Sequence, residues 1–155
     1  MIIPSNRGFY CWMNPDLDSI LRLGSIRNKE HPSLKHYNST RLHVTVIYSH
    51  TCPSRVLIPK AKLYQSTVES YELWDDGNKF LLVGKLNSRD IEALHRLYTS
   101  LGAVHTFDPY SPHITLGEFS TDSADVQEYI YALNRTNSGV QISFGPQVFI
   151  DSLKE

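Results

Sequence analysis

Two short apolar runs in this chain carry the same polar insertion, a histidine and a threonine with one residue between them. The first run is RLHVTVIYS, with His43 and Thr45, and the second is YSPHITLGEF, with His113 and Thr115. Because side chains alternate between the two faces of a β-strand, each histidine shares a face with its threonine, and the apolar neighbours occupy the other face. The chain must therefore fold so that two half-buried strands each present an imidazole and a hydroxyl on their uncovered side.

Four other segments have the composition of strands. GFYCWMN alternates aromatic and small residues, which places Phe9 and Cys11 on one face and Tyr10 and Trp12 on the other. KAKLYQSTVESYELW and KFLLVGKL are separated by DDGN, a sequence typical of a hairpin turn, so we expect them to form an antiparallel pair. VQISFGPQVFI is expected to form one or two closing strands.

Three segments predict helices. PDLDSILRLGSI has apolar residues at helical spacing and predicts a helix over about Asp16–Leu23, ended by Gly24. SADVQEYIYALNR predicts another. SRDIEALHRLYTSLG has a serine at the cap position, a terminal glycine and one apolar stripe, formed by Ile91, Leu94, Leu97, Tyr98 and Leu101.

The order of these elements nearly repeats along the chain, since each half contains a helix followed by a His-x-Thr strand. A chain of 155 residues is long enough for one domain that buries about two thirds of the surface exposed when it is unfolded. We therefore expect one α+β domain over residues 1–155, made of two similar lobes with the motif strands near its centre. Two imidazoles and two hydroxyls would then converge on one groove.

The charge balance and the cysteines exclude several classes of function. A formal net charge of −1 does not provide the basic field that binds long nucleic acids. No apolar run approaches the roughly 18 residues of a membrane span, and MIIPSNRGFYCWMN lacks the pattern of a secretory signal. Cys11 and Cys52 fit no metal or redox spacing. We expect a monomeric cytoplasmic protein with reduced thiols that binds neither long nucleic acids nor membranes.

Two imidazoles and two hydroxyls in one groove suit the cleavage of a phosphodiester without a metal. One neutral imidazole accepts a proton from the attacking oxygen, and the other, protonated, donates one to the leaving oxygen. Histidine serves both roles near neutral pH because its ordinary pKa is about 6.5. The two threonine hydroxyls bind the non-bridging phosphoryl oxygens. The predicted catalytic residues are His43, Thr45, His113 and Thr115; which histidine is the base stays open.

Aromatic and cationic residues outside the motifs would provide binding contacts if the phosphodiester belongs to a nucleotide. Tyr10, Trp12 and Trp74 are candidates for stacking on nucleobases, although packing in the core or the hairpin explains each of them equally well. Arg41, two residues before His43, could steer a phosphate, and a surface salt bridge is the alternative.

Two other classes of protein compete with this interpretation. A zinc hydrolase is suggested by the 7 histidines, but the chain has no H-E-x-x-H sequence and no close His-x-His spacing. A binding module that sequesters a nucleotide without cutting it would need the aromatics and the hydroxyls, but not both histidines. We therefore favour catalysis with no metal and no other cofactor.

RLHVTVIYS and YSPHITLGEF resemble the two signature strands of the 2H phosphoesterase superfamily, including the proline before the second histidine and the glycine after the apolar pair. The resemblance implies a bilobal, LigT-like fold with two antiparallel sheets around a central groove and helices on the outside. It also implies metal-independent cleavage of phosphodiesters or cyclic phosphates, and it assigns functional positions to the four histidine and threonine residues of the two motifs.

Within this superfamily, the short length, the GFYCWMN segment and the tryptophan before DDGN are similar to the phage anti-CBASS proteins. That similarity implies that the chain cuts 3′–5′ linkages in cyclic di- and trinucleotide immune signals such as 3′,3′-cGAMP, in the cytoplasm of the infected host. We infer that a ribose 2′-OH attacks its neighbouring phosphate. An RNA 2′,3′-cyclic phosphate or 2′,5′-oligoadenylate phosphodiesterase of the same superfamily is the alternative.

Overall fold

The computed structural model describes residues 8–27, 31–55, 62–107 and 109–153, with three helices and seven strands in those ranges. In chain order these elements are β1 (Gly8–Pro15), α1 (Leu17–Arg27), β2 (Lys35–His36), β3 (Val44–Ser49), β4 (Tyr64–Asp75), β5 (Phe80–Asn87), α2 (Arg89–Ser100), β6 (His113–Phe119), α3 (Ala124–Asn137) and β7 (Gln141–Leu153).

The seven strands form one antiparallel sheet in the order β2-β6-β3-β1-β7-β4-β5, and β5 also pairs with β6. The sheet has two halves of three long strands each, β3-β1-β7 and β4-β5-β6, with β2 added to the edge of β6. A short β4–β7 pairing joins the halves at one side, and a single pairing between β3 and β6 joins them at the other. The predicted α+β fold is confirmed, with the two expected antiparallel sheets present as two halves of one continuous sheet, and the two motif strands are neighbours.

The strand β1 confirms the predicted alternation of its side chains. Phe9 and Cys11 are fully buried, whereas Tyr10 and Trp12 are partly exposed. The predicted hairpin is also present, because the carboxylate of Asp76 accepts hydrogen bonds from two backbone N–H groups of the turn between β4 and β5. One face of the sheet packs with the helices around the core, which leaves the other face for the motif side chains.

Helix α1 extends beyond its predicted end, whereas the predicted cap of α2 is confirmed. α1 continues through Gly24 to Arg27, because Ile26, beyond the glycine, is buried in the core and extends the apolar face of the helix. α2 begins after the predicted cap Ser88, whose Oγ accepts from the N–H of Ile91 at 3.1 Å. In α2, Leu97 is 43% exposed although it was expected in the buried stripe, and His95 is buried instead. None of the described helices has the length and apolar character of a membrane span.

Candidate active site

The two motif strands meet at one residue pair. Val44 of β3 pairs with Ile114 of β6 in antiparallel register, and both side chains are fully buried. In such a register, the residues on either side of a pair also face each other across the strands. The motif residues are therefore opposed in two cross-strand pairs: His43 with Thr115, and Thr45 with His113. All four are partly exposed, so the structure brings the four predicted catalytic residues together on the uncovered face of the sheet.

The two motif strands have the same pattern of burial over seven residues. In both 43–49 and 113–119 the pattern is partly exposed, buried, partly exposed, buried, buried, partly exposed, buried. The two consecutive buried residues coincide with irregularities in the pairing of each strand with its neighbour, as expected for β-bulges. These bulges turn Tyr48 and Glu118 onto the same face as the motif side chains. Strict alternation would have placed both residues in the core.

Both motif imidazoles are oriented in the same way by the backbone. Nδ1 of His43 lies 2.8 Å from the carbonyl oxygen of Arg41, and Nδ1 of His113 lies 2.8 Å from the carbonyl oxygen of Ser111. Because a carbonyl oxygen only accepts hydrogen bonds, Nδ1 must carry the proton in each neutral ring. This tautomer leaves Nε2 as the atom that takes up or releases a proton.

The environment of His113 favours its neutral form. Burial lowers the pKa of His113 below its ordinary value, and the positive charge of a protonated His43 lowers that pKa further; the carbonyl of Ser111 acts in the opposite direction. The ring of Trp74 provides part of this cover, since its centre lies 4.5 Å from the centre of the His113 ring at an angle of 54°. His113 is therefore suited to accept a proton in the first step of a reaction.

A cavity of about 500 Å³ opens beside Thr45 and His113, a size suited to part of a nucleotide. Most of its lining is aromatic, and the residues that border it are Tyr10, Thr45, Tyr48, Trp74, His105, Phe107, Pro109, Tyr110, Ser111 and His113. A mostly apolar cavity that adjoins an imidazole and a hydroxyl provides stacking surfaces next to the groups that would act on a phosphate.

Two of the predicted substrate-binding residues line this cavity, and two lie outside its lining. Tyr10 borders it beside Thr45, with 3.4 Å between the two hydroxyl oxygens, and Trp74 borders it beside His113. Trp12 packs behind Tyr10, with 4.8 Å between the ring centres. The guanidinium of Arg41 stacks on the ring of Tyr37, with Cζ 3.7 Å from the ring centre. The four residues His43, Thr45, His113 and Thr115 are called the motif block below. Arg41 is exposed on the turn before β3, close to the His43 side of this block.

Sequence reasoning missed the residues between α2 and β6 that form one wall of the cavity. Tyr110 donates a hydrogen bond from its hydroxyl to the carbonyl oxygen of Thr45 at 2.6 Å, and its ring stacks on His95 at 3.7 Å with an interplanar angle of 3°. His105 accepts from the N–H of Tyr48 at 3.1 Å. The apolar residues of this segment follow neither a helical nor a strand period, so the sequence pattern did not predict that it lines the site. His95 and His105 support the wall, in agreement with a structural role for both.

The opposite end of the motif block is charged rather than aromatic. The carboxylate of Glu118 lies 2.7 Å from Nζ of Lys79 and 3.6 Å from Nζ of Lys35, and it accepts a hydrogen bond from the hydroxyl of Tyr37 at 2.8 Å. These partners lower the pKa of Glu118 to about 2. Within the described ranges, no group of three or more His, Cys, Asp or Glu side chains is arranged to hold a metal ion.

Comparison with known proteins agrees with this geometry. The sequence model of the family described as anti-CBASS protein Acb1 matches residues 7–144. The Acb1 protein of Yersinia phage phiR1-RT is 36% identical over 74 residues, which cover 45% of this chain and 48% of the phage protein. The Acb1 protein of Salmonella phage S16 is 40% identical over 80 residues, covering 45% and 49%. The chain thus spans about half the length of these curated relatives.

Solved structures show the same fold at low sequence identity. Escherichia coli LigT in its apo form superposes with a TM-score of 0.57 and 15% identity, covering 99% of this chain and 96% of LigT. A crystal structure of a phosphoesterase superposes with a TM-score of 0.60 and 13% identity, covering 94% of this chain and 87% of that one. At these identities the similarity establishes a shared fold, which confirms the predicted LigT-like architecture.

Proposed function

Because the chain belongs to the family of anti-CBASS protein Acb1, we propose that it is a metal-independent phosphodiesterase that opens cyclic di- and trinucleotide immune signals at a 3′–5′ linkage. 3′,3′-cGAMP represents this class of substrate. The activity would counter CBASS antiphage defence, and its place of action would be the cytoplasm of the infected host. The observation that carries the proposal is the pairing of Val44 with Ile114, which opposes one histidine and one threonine from each strand.

In the first step, His113 acts as the base. Its neutral Nε2 takes the proton from a ribose 2′-OH, and the 2′-oxygen forms a bond to the neighbouring phosphorus. The bond from phosphorus to the 5′-oxygen breaks, and protonated His43 donates its Nε2 proton to that leaving oxygen. Each of these proton transfers contributes about 10² to 10⁴ in rate, which corresponds to roughly 3 to 5 kcal/mol of barrier.

The threonines hold the phosphate between the two imidazoles. Thr45 lies across from His113 and Thr115 lies across from His43, so a phosphoryl group centred on the motif block meets a hydroxyl beside each ring. Hydrogen bonds from these hydroxyls to the non-bridging oxygens stabilise the charge that develops as the 2′-oxygen attacks. Water can then open the 2′,3′-cyclic phosphate with the roles of the histidines reversed, which gives a linear product.

In the proposed complex, one base of the substrate occupies the cavity next to the reacting phosphate. Trp74 borders the cavity beside His113, and Tyr10 borders it beside Thr45. Base stacking on an aromatic ring is worth about 1 to 3 kcal/mol. On the other side, Arg41 and the lysines around Glu118 provide positive charge near the His43 end. We propose that this end attracts the phosphates of the substrate, and that one chain is sufficient for activity.

Mass analysis of reaction products tests the proposal. The purified protein is incubated in EDTA with 3′,3′-cGAMP, a cyclic trinucleotide, a short linear RNA ending in a 2′,3′-cyclic phosphate, and 2′,5′-oligoadenylate. We expect linear products from the two cyclic oligonucleotides, and a 3′,3′-cyclic dinucleotide without the 2′-OH at the cleaved linkage should resist. Cleavage restricted to the RNA end or to 2′,5′-oligoadenylate would assign the alternative activity, and intact ligand that co-purifies with the protein would indicate sequestration.

A histidine outside the site serves as the control. His50 is exposed just after β3, and its ring is 6.3 Å from that of Tyr48. His50→Ala should keep the rate of the unchanged protein.

Activity that disappears in EDTA and returns with zinc would contradict the metal-independent mechanism.

A further inference from the structure

Glu72 on β4 connects three side chains of the β4–β5 hairpin. Its Oε1 accepts a hydrogen bond from Nε1 of Trp74 at 3.1 Å, and its Oε2 accepts one from Oγ of Ser70 at 3.2 Å. Nζ of Lys85 lies 3.6 Å from the same Oε2. Both carboxylate oxygens are therefore engaged by neighbours on the hairpin.

The hydrogen bond from Trp74 has a consequence for His113. The indole reaches from β4 to the imidazole on β6, where the two ring centres are 4.5 Å apart. Because the side chain of tryptophan turns about two bonds, its face can point in several directions unless the edge is held. Glu72 binds the N–H at that edge and so fixes which face of the indole lines the cavity.

Lys85 is a second reason for a carboxylate at this position. It is the cross-strand partner of His113 in the pairing of β5 with β6, so its side chain leaves the sheet next to the imidazole. An uncompensated ammonium group there would repel the imidazolium form of His113. Glu72 lies beside Lys85 and supplies a compensating negative charge.

We propose that Glu72 is a positioning residue, which holds the Trp74 indole over His113 and thereby maintains both the apolar cover of that histidine and the stacking wall of the cavity. The part of this proposal that concerns substrate rests on the proposed function. The part that concerns the two rings does not, because the contact between Trp74 and His113 exists without a ligand.

Tryptophan fluorescence tests the placement of the indole without any substrate. The chain has 2 tryptophans, so Trp12→Phe leaves Trp74 as the only one. A protonated imidazole quenches an adjacent indole, and His113→Gln in this background identifies the part of the pH titration that belongs to His113. Charged or titratable groups near the His113 ring include His43, one residue before β3, Lys85 on β5, and Glu72, which pairs with Lys85.

We expect Glu72→Ala to reduce the amplitude of that titration by at least half, because the indole is released. Glu72→Gln should keep most of it, since the amide oxygen still accepts from Nε1 of Trp74. Glu69→Ala is the matched control, an exposed glutamate of the same strand. The placement is overturned if Glu72→Ala titrates like Glu69→Ala, or if Glu72→Gln loses as much amplitude as Glu72→Ala while both keep the circular dichroism of the folded chain.

Kinetics with 3′,3′-cGAMP tests the consequence for substrate. Glu72→Ala should raise KM by about tenfold, within the range of one weakened base stack, and should change kcat less. Glu72→Gln and Glu69→Ala should stay near the unchanged KM. Equal KM values in Glu72→Ala and Glu69→Ala would overturn this role. If the unchanged protein cleaves no cyclic dinucleotide, the proposed function fails, and the fluorescence titration still decides the role of Glu72.

Discussion

Val44 and Ile114 face each other across β3 and β6, and both are completely buried. Each lies between the histidine and the threonine of its own motif, so one apolar pair in the core determines the positions of four polar side chains on the other face. A shift of either strand by one residue would put the histidine and the threonine of that strand into the core and would expose its apolar residue. The stability of the fold and the geometry of the site thus depend on the same pairing.

Tyr110 anchors β3 through a partly buried hydrogen bond from its hydroxyl to the carbonyl oxygen of Thr45. Tyr110→Phe removes the donor and should lower the free energy of unfolding by about 0.5 to 1.5 kcal/mol. The same change should reduce kcat, because the backbone at Thr45, a proposed catalytic residue, is less firmly held. Urea denaturation and steady-state kinetics check both effects. Tyr131→Phe, at a tyrosine that is 66% exposed, is the control; an equally small effect in the two variants would contradict the anchoring role.

The pH dependence of kcat/KM should report the burial of His113. Its pKa lies below the ordinary value of 6.5, and in the proposed mechanism its neutral form acts as the base. The rate should therefore fall on the acid side only below pH 6.5, as protonation of His113 removes the base. Trp74→Ala exposes the ring, which raises this pKa and moves the acid limb to higher pH. Trp12→Phe, which changes no contact of His113, should leave the limb in place. An acid limb that does not move in Trp74→Ala would contradict this assignment.

Alanine substitutions at two glycines should change the stability of the protein in opposite directions. A Cβ at Gly117 would lie 2.5 Å from the carbonyl oxygen of Lys35, where β2 pairs with β6. Gly117→Ala must push these backbones apart and should cost about 1 to 3 kcal/mol. Gly24 lies inside α1 with nothing within 4 Å of an added Cβ, and Gly24→Ala should stabilise the protein by about 0.5 to 1 kcal/mol. Thermal unfolding of the two variants measures both effects. An unchanged stability in Gly117→Ala would contradict the close approach of β6 to the backbone of Lys35.

Glu118 should make the stability of the protein depend on pH below about 4.5. Hydrogen bonds from Lys79 and Tyr37 lower its pKa from 4.5 to about 2 in the folded state. Its contribution is therefore complete above pH 4.5 and is lost as the pH falls toward 2. Glu118→Gln should lower Tm at pH 7 by a few degrees, and the difference from the unchanged protein should disappear as the pH approaches 2. Calorimetry at several pH values checks this, and a difference independent of pH would argue against the ionised carboxylate.

The sequence was sufficient for the parts of the site that depend on strand alternation. His43 and Thr45 share a face for the same reason that Tyr10 and Trp12 do, because each of these pairs is two residues apart on one strand. The fold followed from the order of the elements and from the resemblance of the motifs. The relation between the two strands required only that their apolar faces meet in one core.

The rest of the site depends on contacts between distant segments. The bulges that expose Tyr48 and Glu118 arise where the register of each strand shifts against its neighbouring strand. Such a shift depends on both strands of the pair, so it cannot be predicted from the sequence of one strand. Tyr110 reaches the site from an irregular segment. Arg41 faces Tyr37 because of the turn between them, which a strand pattern does not describe. α1 passes Gly24 because packing of Ile26 outweighs the low helix propensity of glycine.

The joint action of the two histidines on one phosphate is tested most directly by the rates of His43→Ala, His113→Ala and the double variant on 3′,3′-cGAMP in EDTA. We expect each single change to reduce the rate of linearisation by about 10² to 10⁴. The double variant should be little slower than the slower single variant, because groups that act on the same transition state are lost as a unit. A single variant that keeps most of the activity, or a double variant whose loss is the product of the two single losses, would contradict one shared site.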